Sequence, residues 1–212
     1  MNWPKNYDQL DQWTMMMFLY ESALKEVGTK IEILNEEFVH IHNYNPIEHV
    51  TSRIKTSESI VKKLKKNNFE VTIENMVEHI NDIAGIRVIC SFTPDIYKIA
   101  DMLAKQDDVK VLLIKDYIKE PKSNGYKSYH MVVEIPIFLA EGPVPTRVEI
   151  QIRTIAMDFW ASLEHKINYK FDGNVPEEIR AQLVDCAGRI NDIDERMLHL
   201  NEEVQKANTP AK

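Results

Sequence analysis

Apolar residues recur at helical spacing through the first forty positions. Leu10, Trp13, Met17, Tyr20 and Leu24 fall three or four apart, and Ile31, Leu34 and Phe38 continue the stripe. This predicts a helix over 7–42, with Gly28 as the point where it bends or is interrupted. Asn43 to Pro46 carries turn residues. A second helix is expected after Pro46 or Thr56, ending near Asn67 and Asn68, and a short one over 73–80 leads to Asp82. The period then shortens. Residues 86–92 form a mostly apolar run, and 95–106 returns to helix spacing through Ile96, Ile99, Met102 and Leu103. Residues 109–114, 129–135 and 147–153 read as strands, with a loop over 141–145. A strand-helix-strand order followed by a hairpin-like pair gives an α+β fold, a mixed sheet covered by helices. From Pro176 one long helix is expected. Ile179, Leu183, Cys186, Ile190, Ile193, Met197, Leu200 and Val204 alternate spacings of four and three, a sustained heptad stripe. That stripe predicts packing against the N-terminal helix or another subunit, not chemistry.

Composition narrows the class. The chain has 212 residues and a net charge of −7, from 26 basic and 33 acidic residues. One compact domain with helical extensions is expected. Affinity for phosphate backbones comes mainly from Lys and Arg, so this acidity argues against RNA as the main ligand. Positive charge, where it clusters, belongs to a local pocket. Cys90 and Cys186 both sit in apolar patterns and read as buried, reduced thiols. The apolar run 15–20 is far short of the roughly 20 residues that span a bilayer, and no signal-peptide layout precedes it. A cytoplasmic protein with no membrane association is expected.

Candidate chemistry concentrates in three places. On the strand 147–153, Val148, Ile150 and Ile152 point one way, while Arg147, Glu149, Gln151 and Arg153 point the other. Asp82 stands at the mouth of the strand 86–92, followed by Gly85 and Arg87. If those strands are neighbours, Asp82 and Glu149 face one cleft. Two close carboxylates repel, and Mg²⁺ would relieve the conflict, completing its shell with substrate phosphates and water. Lys55, Ser59, Lys63 and Lys66 are spaced four, four and three apart, one face of the expected second helix, with Arg53 just before them. Such a row suits a triphosphate, although a solvated basic face has the same spacing. Lys115 and Lys122 add cations from the loop before Tyr126. The Tyr126 ring, beside Gly125, can stack on a purine or pack on the base of its own loop. His130 could bond a phosphate or be a satisfied core histidine. His40, His42 and His49 lack zinc-ligand spacing. No Gly-x-x-x-x-Gly-Lys, Gly-x-Gly-x-x-Gly, His-Glu-x-x-His or Gly-x-Ser-x-Gly pattern occurs.

Taken together, NDIAGIR (81–87), KDYIKEPKSNGYKSYH (115–130), VEIQIRT (148–154), MDFWASLEH (157–165) and the upstream NPIEHVTSRIK (45–55) resemble the synthetase domain of the RelA/SpoT family. The likeness spans roughly 45–175 and is closest to stand-alone small alarmone synthetases of the RelP (YwaC) type. It implies a five-stranded mixed sheet of nucleotidyltransferase-like synthetase fold, flanked by helices. The corresponding division is an N-terminal helical region (1–44), the catalytic domain (45–175) and a C-terminal heptad helix (176–212). It implies transfer of pyrophosphate from ATP to the ribose 3′-hydroxyl of GDP or GTP, giving (p)ppGpp and AMP in a stringent or stress response. By position, Asp82 and Glu149 would bind Mg²⁺, with Glu149 alternatively taking the 3′-hydroxyl proton. Arg53 and Arg87 would sandwich adenine, and Lys55, Ser59, Lys63 and Lys66 would hold the ATP phosphates. Tyr126 would stack on guanine, with Lys115, Lys122, His130 and Gln151 on the same GDP or GTP side. No His-Asp dipeptide is present, so the family's hydrolase domain is not expected, and without a counterpart of the family's C-terminal regulatory domains neither is ribosome coupling. A homotetramer built on the terminal helices is. Gly28, Glu32 and Asn35 stand where RelQ-type relatives would carry cations for an alarmone-binding cleft, which argues against such activation.

Two other classes stay in view. A template-independent nucleotidyltransferase would want an Asp-x-Asp pair on a strand, but the only such pair, Asp192 and Asp194, lies in the heptad helix. A non-catalytic RNA or alarmone-binding module would tolerate loss of Asp82 or Glu149.

Overall fold

The computed structural model describes residues 9–171 and 175–208. The first predicted helix is α1 (Gln9–His42), and residues 7 and 8 lie outside the described region. The helix runs through Gly28 without interruption. Met16, Leu19, Ala23, Val27 and Ile31 are buried along one side of α1, so the apolar stripe, not local propensity, holds the helix on the sheet.

The chain then enters β1 (Ile47–Ile54), where a helix was an open expectation. After α2 (Ser57–Lys66) and α3 (Ile73–His79) come β2 (Ala84–Cys90), α4 (Thr93–Ala104), β3 (Lys110–Asp116), β4 (Tyr129–Leu139) and β5 (Gly142–Thr154). α5 (Ile155–Lys170) has no counterpart among the elements that periodicity predicts, and α6 (Glu177–Asn208) is the heptad helix. Residues 142–145, expected in a loop, belong to β5. Leu139 pairs with Gly142 and Pro136 with Pro145, so the connection is a tight hairpin whose turn Gly142 permits at φ 122°.

The five strands run in the order β1-β2-β5-β4-β3. β2 and β5 are parallel, and the other neighbours are antiparallel. The sheet is therefore mixed, as expected. Its central strands bury Ile86, Val88, Val133, Ile135, Val148, Ile150 and Ile152 on one face, which α1 and α4 cover. Each such side chain contributes on the order of 1.5–3 kcal/mol by leaving water. The opposite face is polar. A satellite cluster of Trp160, Ala161 and Ala187, with Tyr126, Leu183 and Ile190, joins α5 and α6 to the loop before β4.

The heptad stripe of α6 is only half used. Ile193, Met197, Leu200 and Val204 are exposed, and Cys186 is exposed rather than buried. Cys90 meets the expectation of a buried thiol, and burial pushes its pKa to about 12. No helix among the described residues is long and apolar enough to cross a membrane.

Candidate active site

Register builds the site. Gly85 of β2 pairs with Glu149 of β5, and Arg87 pairs with Gln151. Gln151 also pairs with His130 of β4, which pairs with Lys115 of β3. Thr51 of β1 completes the row beside Arg87. Paired residues point to the same face, so five strands present one polar row opposite the apolar core. The neighbour condition for Asp82 and Glu149 is met. Asp82 sits three residues ahead of Gly85, at the entrance to β2, and Glu149 lies level with Gly85 on the adjoining strand.

Asp82 is gripped by two ammonium groups. Lys55 Nζ donates to its Oδ2 at 2.8 Å and Lys63 Nζ to its Oδ1 at 2.7 Å. Burial pushes the carboxyl pKa up, but the hydrogen bonds from Lys55 and Lys63 outweigh it and hold it below the usual value. Lys55 reaches this place from outside α2. It follows β1, and its backbone N–H bonds Ile83 O, so the expectation of one helical face holds for Ser59, Lys63 and Lys66 only. Buried Ile60 and Leu64 seat α2 and turn Lys63 toward Asp82. Thr56 caps the helix by accepting from the Ser59 N–H. Ser59 is exposed in the first turn and Lys66 at the far end.

Arg53 and Arg87 project from adjacent edge and inner strands on the polar face. The Arg53 side chain runs over Gly85, where a Cβ would lie 3.7 Å from its Cγ. Burial first, then the positive charge of Arg153, lowers the Arg87 pKa. Its Nε is buried with no hydrogen-bond partner.

The other half of the cleft centres on Tyr126. Its ring is partly buried rather than free, and its hydroxyl is held at two points. Arg153 donates to it at 2.6 Å, and His130 Nε2 lies 2.8 Å away. Arginine can only donate, so the tyrosine oxygen accepts from Arg153, and the direction of its bond with Nε2 follows the imidazole tautomer. Nδ1 of His130 lies 3.8 Å from Glu149 Oε1. Burial, then Arg153, Lys122 and Lys115, lowers the His130 pKa to about 3, so the ring is neutral at pH 7. Glu149 Oε2 accepts from Gln151 Nε2 at 2.8 Å. Lys122 places its ammonium 4.6 Å from the Tyr117 ring centre and 4.9 Å from that of Tyr126, a cation–π position.

Three participants carried no assigned role in the sequence. Asp158 Oδ1 bridges Arg87 at 3.3 Å and Arg153 at 3.0 Å. Tyr117 stands edge-on to Tyr126 and His130. Arg153 ties Tyr126, Gln151 and Asp158 together. Asp158 was visible only as part of the MDFWASLEH string. Arg147 leaves the site altogether, donating to the Val77 and Glu78 carbonyls and to Asn81 at the end of α3. Of the three histidines considered for a metal, His42 packs on Phe38, and His40 and His49 are exposed. No cluster of three or more metal-ligating side chains occurs among the described residues.

The region found in RelA / SpoT proteins matches residues 52–174. The chain belongs to the RelA/SpoT family. It is 46% identical to the GTP pyrophosphokinase YwaC of Bacillus subtilis (strain 168), over 92% of this chain and 93% of that protein. The crystal structure of small alarmone synthetase 2 from Bacillus subtilis superimposes with a TM-score of 0.82 at 43% identity, covering 90% of this chain and 98% of the other. Small alarmone synthetase 1 from the same organism, bound to its product pppGpp, gives 0.84 at 37% identity, covering 92% and 98%. This RelA/SpoT chain thus shares its fold with small alarmone synthetases over nearly its whole length.

Proposed function

We propose that this chain is a GTP pyrophosphokinase that makes (p)ppGpp. The ribose 3′-oxygen of GDP or GTP attacks the β-phosphorus of ATP. The new O3′–Pβ bond forms, the Pα–O–Pβ link breaks, and AMP leaves. Glu149 takes the 3′-hydroxyl proton. Its placement supports this role: Gln151 orients the carboxylate through one oxygen, and the neutral His130 flanks the other. Lys55 and Lys63, already converged on Asp82, neutralise the ATP phosphates together with Ser59 and Lys66. Arg53 and Arg87 grip adenine. Tyr126 takes guanine, and Lys115 and Lys122 take the acceptor's phosphates. Such transfers depend mainly on positioning and charge neutralisation.

Asp82 and Glu149 fit a Mg²⁺ ion. They are two carboxylates without a third protein ligand, the number Mg²⁺ takes when phosphates and water supply the rest, and every carboxylate oxygen keeps a lone pair beside its present hydrogen bond. The ion would neutralise charge on the transferred group. The exposed stripe on α6 and the exposed Phe18, Ile33 and Ile41 of α1 support a homotetramer. The chain's acidity and the absence of a spanning helix among the described residues agree with a cytoplasmic enzyme.

The observation that carries this reading is the convergence of Lys55 and Lys63 on Asp82 at the entrance to β2, with Glu149 level with Gly85 on the adjoining strand β5. Incubation with Mg²⁺, GDP and γ-labelled ATP, followed by chromatography, tests it. Label on a guanosine product with AMP released is expected. Label released as free phosphate or pyrophosphate, with GDP unchanged, would refute it.

A further inference from the structure

The face of α6 that is buried does more than fill space. Leu183, Ala187, Asn191 and Asp194 are spaced four, four and three apart, so they share one side of the helix. Each meets the acceptor half of the cleft or its support. Leu183 O accepts from Trp160 Nε1 at 2.9 Å. The Ala187 methyl fills the space beside Gly125, where an added Cβ would come within 2.5 Å of it. Asn191 Oδ1 accepts from Lys127 Nζ. Asp194 Oδ2 accepts from Thr154 Oγ1 at 2.8 Å, directly after Arg153.

The loop 117–128 needs such a backing. It is braced from within by Gly125 N–H to Lys122 O at 2.8 Å and Lys122 N–H to Tyr126 O at 3.2 Å. Gly125 has φ 85°, a left-handed turn that closes the loop tightly against α6 and leaves no room for a side chain. A ring already held in place before the base arrives loses less freedom on binding. The donor half is anchored elsewhere. Lys55 and Lys63 bind Asp82, and Arg87 binds Asp158, none of them on α6.

We propose that Ala187, Asn191 and Asp194 of α6 are positioning residues for the guanine nucleotide, acting through Gly125, Lys127 and Thr154. This rests on the reading of the Tyr126 loop as the guanine site. α6 thereby sets acceptor affinity independently of ATP, and its exposed half offers the same helix to a second copy.

Steady-state kinetics with both substrates varied tests this. Asn191→Leu keeps the volume and removes the acceptor for Lys127, so the guanine-nucleotide KM rises about three- to tenfold, while the ATP KM and the thermal midpoint stay put. Asn191 Nδ2 also donates to Glu195 at 2.9 Å, so the control is Asn191→Asp with Glu195→Gln, which keeps an acceptor for Lys127 and a bond to position 195 and behaves like wild type. Asp194→Leu is the second variant and shifts the same KM. Tyr126→Ala is measured in parallel. If Tyr126→Ala raises the guanine KM but neither α6 variant does, the positioning role is wrong and the loop assignment stands. If both KM values rise together in the α6 variants, the helix acts only on general stability and the proposal falls. If Tyr126→Ala leaves the guanine KM unchanged, loop assignment and positioning role fall together.

Discussion

Asp158 holds two guanidinium groups with a single oxygen. It neutralises the repulsion between Arg87 and Arg153 and so keeps the donor and acceptor halves of the cleft at fixed spacing. Asp158→Ala should cost about 1–3 kcal/mol in urea unfolding, the range for hydrogen bonds between charged groups. It should also raise KM for both nucleotides, and an unchanged denaturation midpoint would remove this role. His130 gives a pH test. Its pKa is depressed to about 3 when folded, against about 6.5 when exposed. Between these values the unfolded chain binds the extra proton, so the stability His130 confers is intact above pH 6.5 and drains away as pH falls toward 3. Over pH 6.5 to 5, before carboxylates titrate, His130→Gln should show a shallower loss of stability than wild type. Parallel curves would contradict the buried neutral ring. Asp82, Glu149 and Tyr126 stand out in the sequence because each has a locally unusual setting: a charge at a strand mouth, a charge alternating with apolar residues, a ring beside glycine. Asp158 does not, because a helix surface carboxylate has no local mark, and its partners come from two different strands.

The elements that periodicity misplaced are those with the least one-sided burial. β1 is an edge strand with most residues exposed, so its sequence lacks the alternation that a half-buried strand shows, and it could pass for the start of a helix. That blurred the position of Lys55, which reaches Asp82 from the end of a strand and not from α2. β5 was read short because Pro143 and Pro145 are turn residues by composition, yet the hairpin with β4 carries them in register. α5 leaves Ile155, Phe159 and Leu163 exposed and so mixes a solvent-facing apolar stripe with the inward Trp160. By contrast α4 and β2 bury clean stripes and lie within two residues of the bounds that periodicity gave them. α2 shows how burial serves chemistry. Leu64 is fully buried, and Leu64→Ala should cost on the order of 2–5 kcal/mol. It should also raise the ATP KM more than the guanine KM, because the seat beneath Lys63 is lost. Equal effects on the two substrates would show that α2 does not shape the donor half.

At the scale of the molecule, Lys55, Lys63, Arg87 and Arg153 converge on carboxylates of one cleft, while the terminal helices leave apolar surface exposed. Light scattering should give a mass several times the 24.7 kDa of one chain, and Ile193→Glu with Met197→Glu should lower it while circular dichroism stays unchanged. A wild-type mass of one chain would end the tetramer proposal. The proposed transfer requires Asp82, just ahead of β2, and Glu149, on β5, to act together in one cleft. The most direct measurement is single-turnover label transfer by Glu149→Gln beside its equilibrium affinity for an ATP analogue. Loss of transfer by about 100-fold or more, with analogue affinity within a few-fold of wild type, is the expected result. Transfer retained above about a tenth of wild type would show that Glu149 neither takes the proton nor helps hold the reacting phosphates.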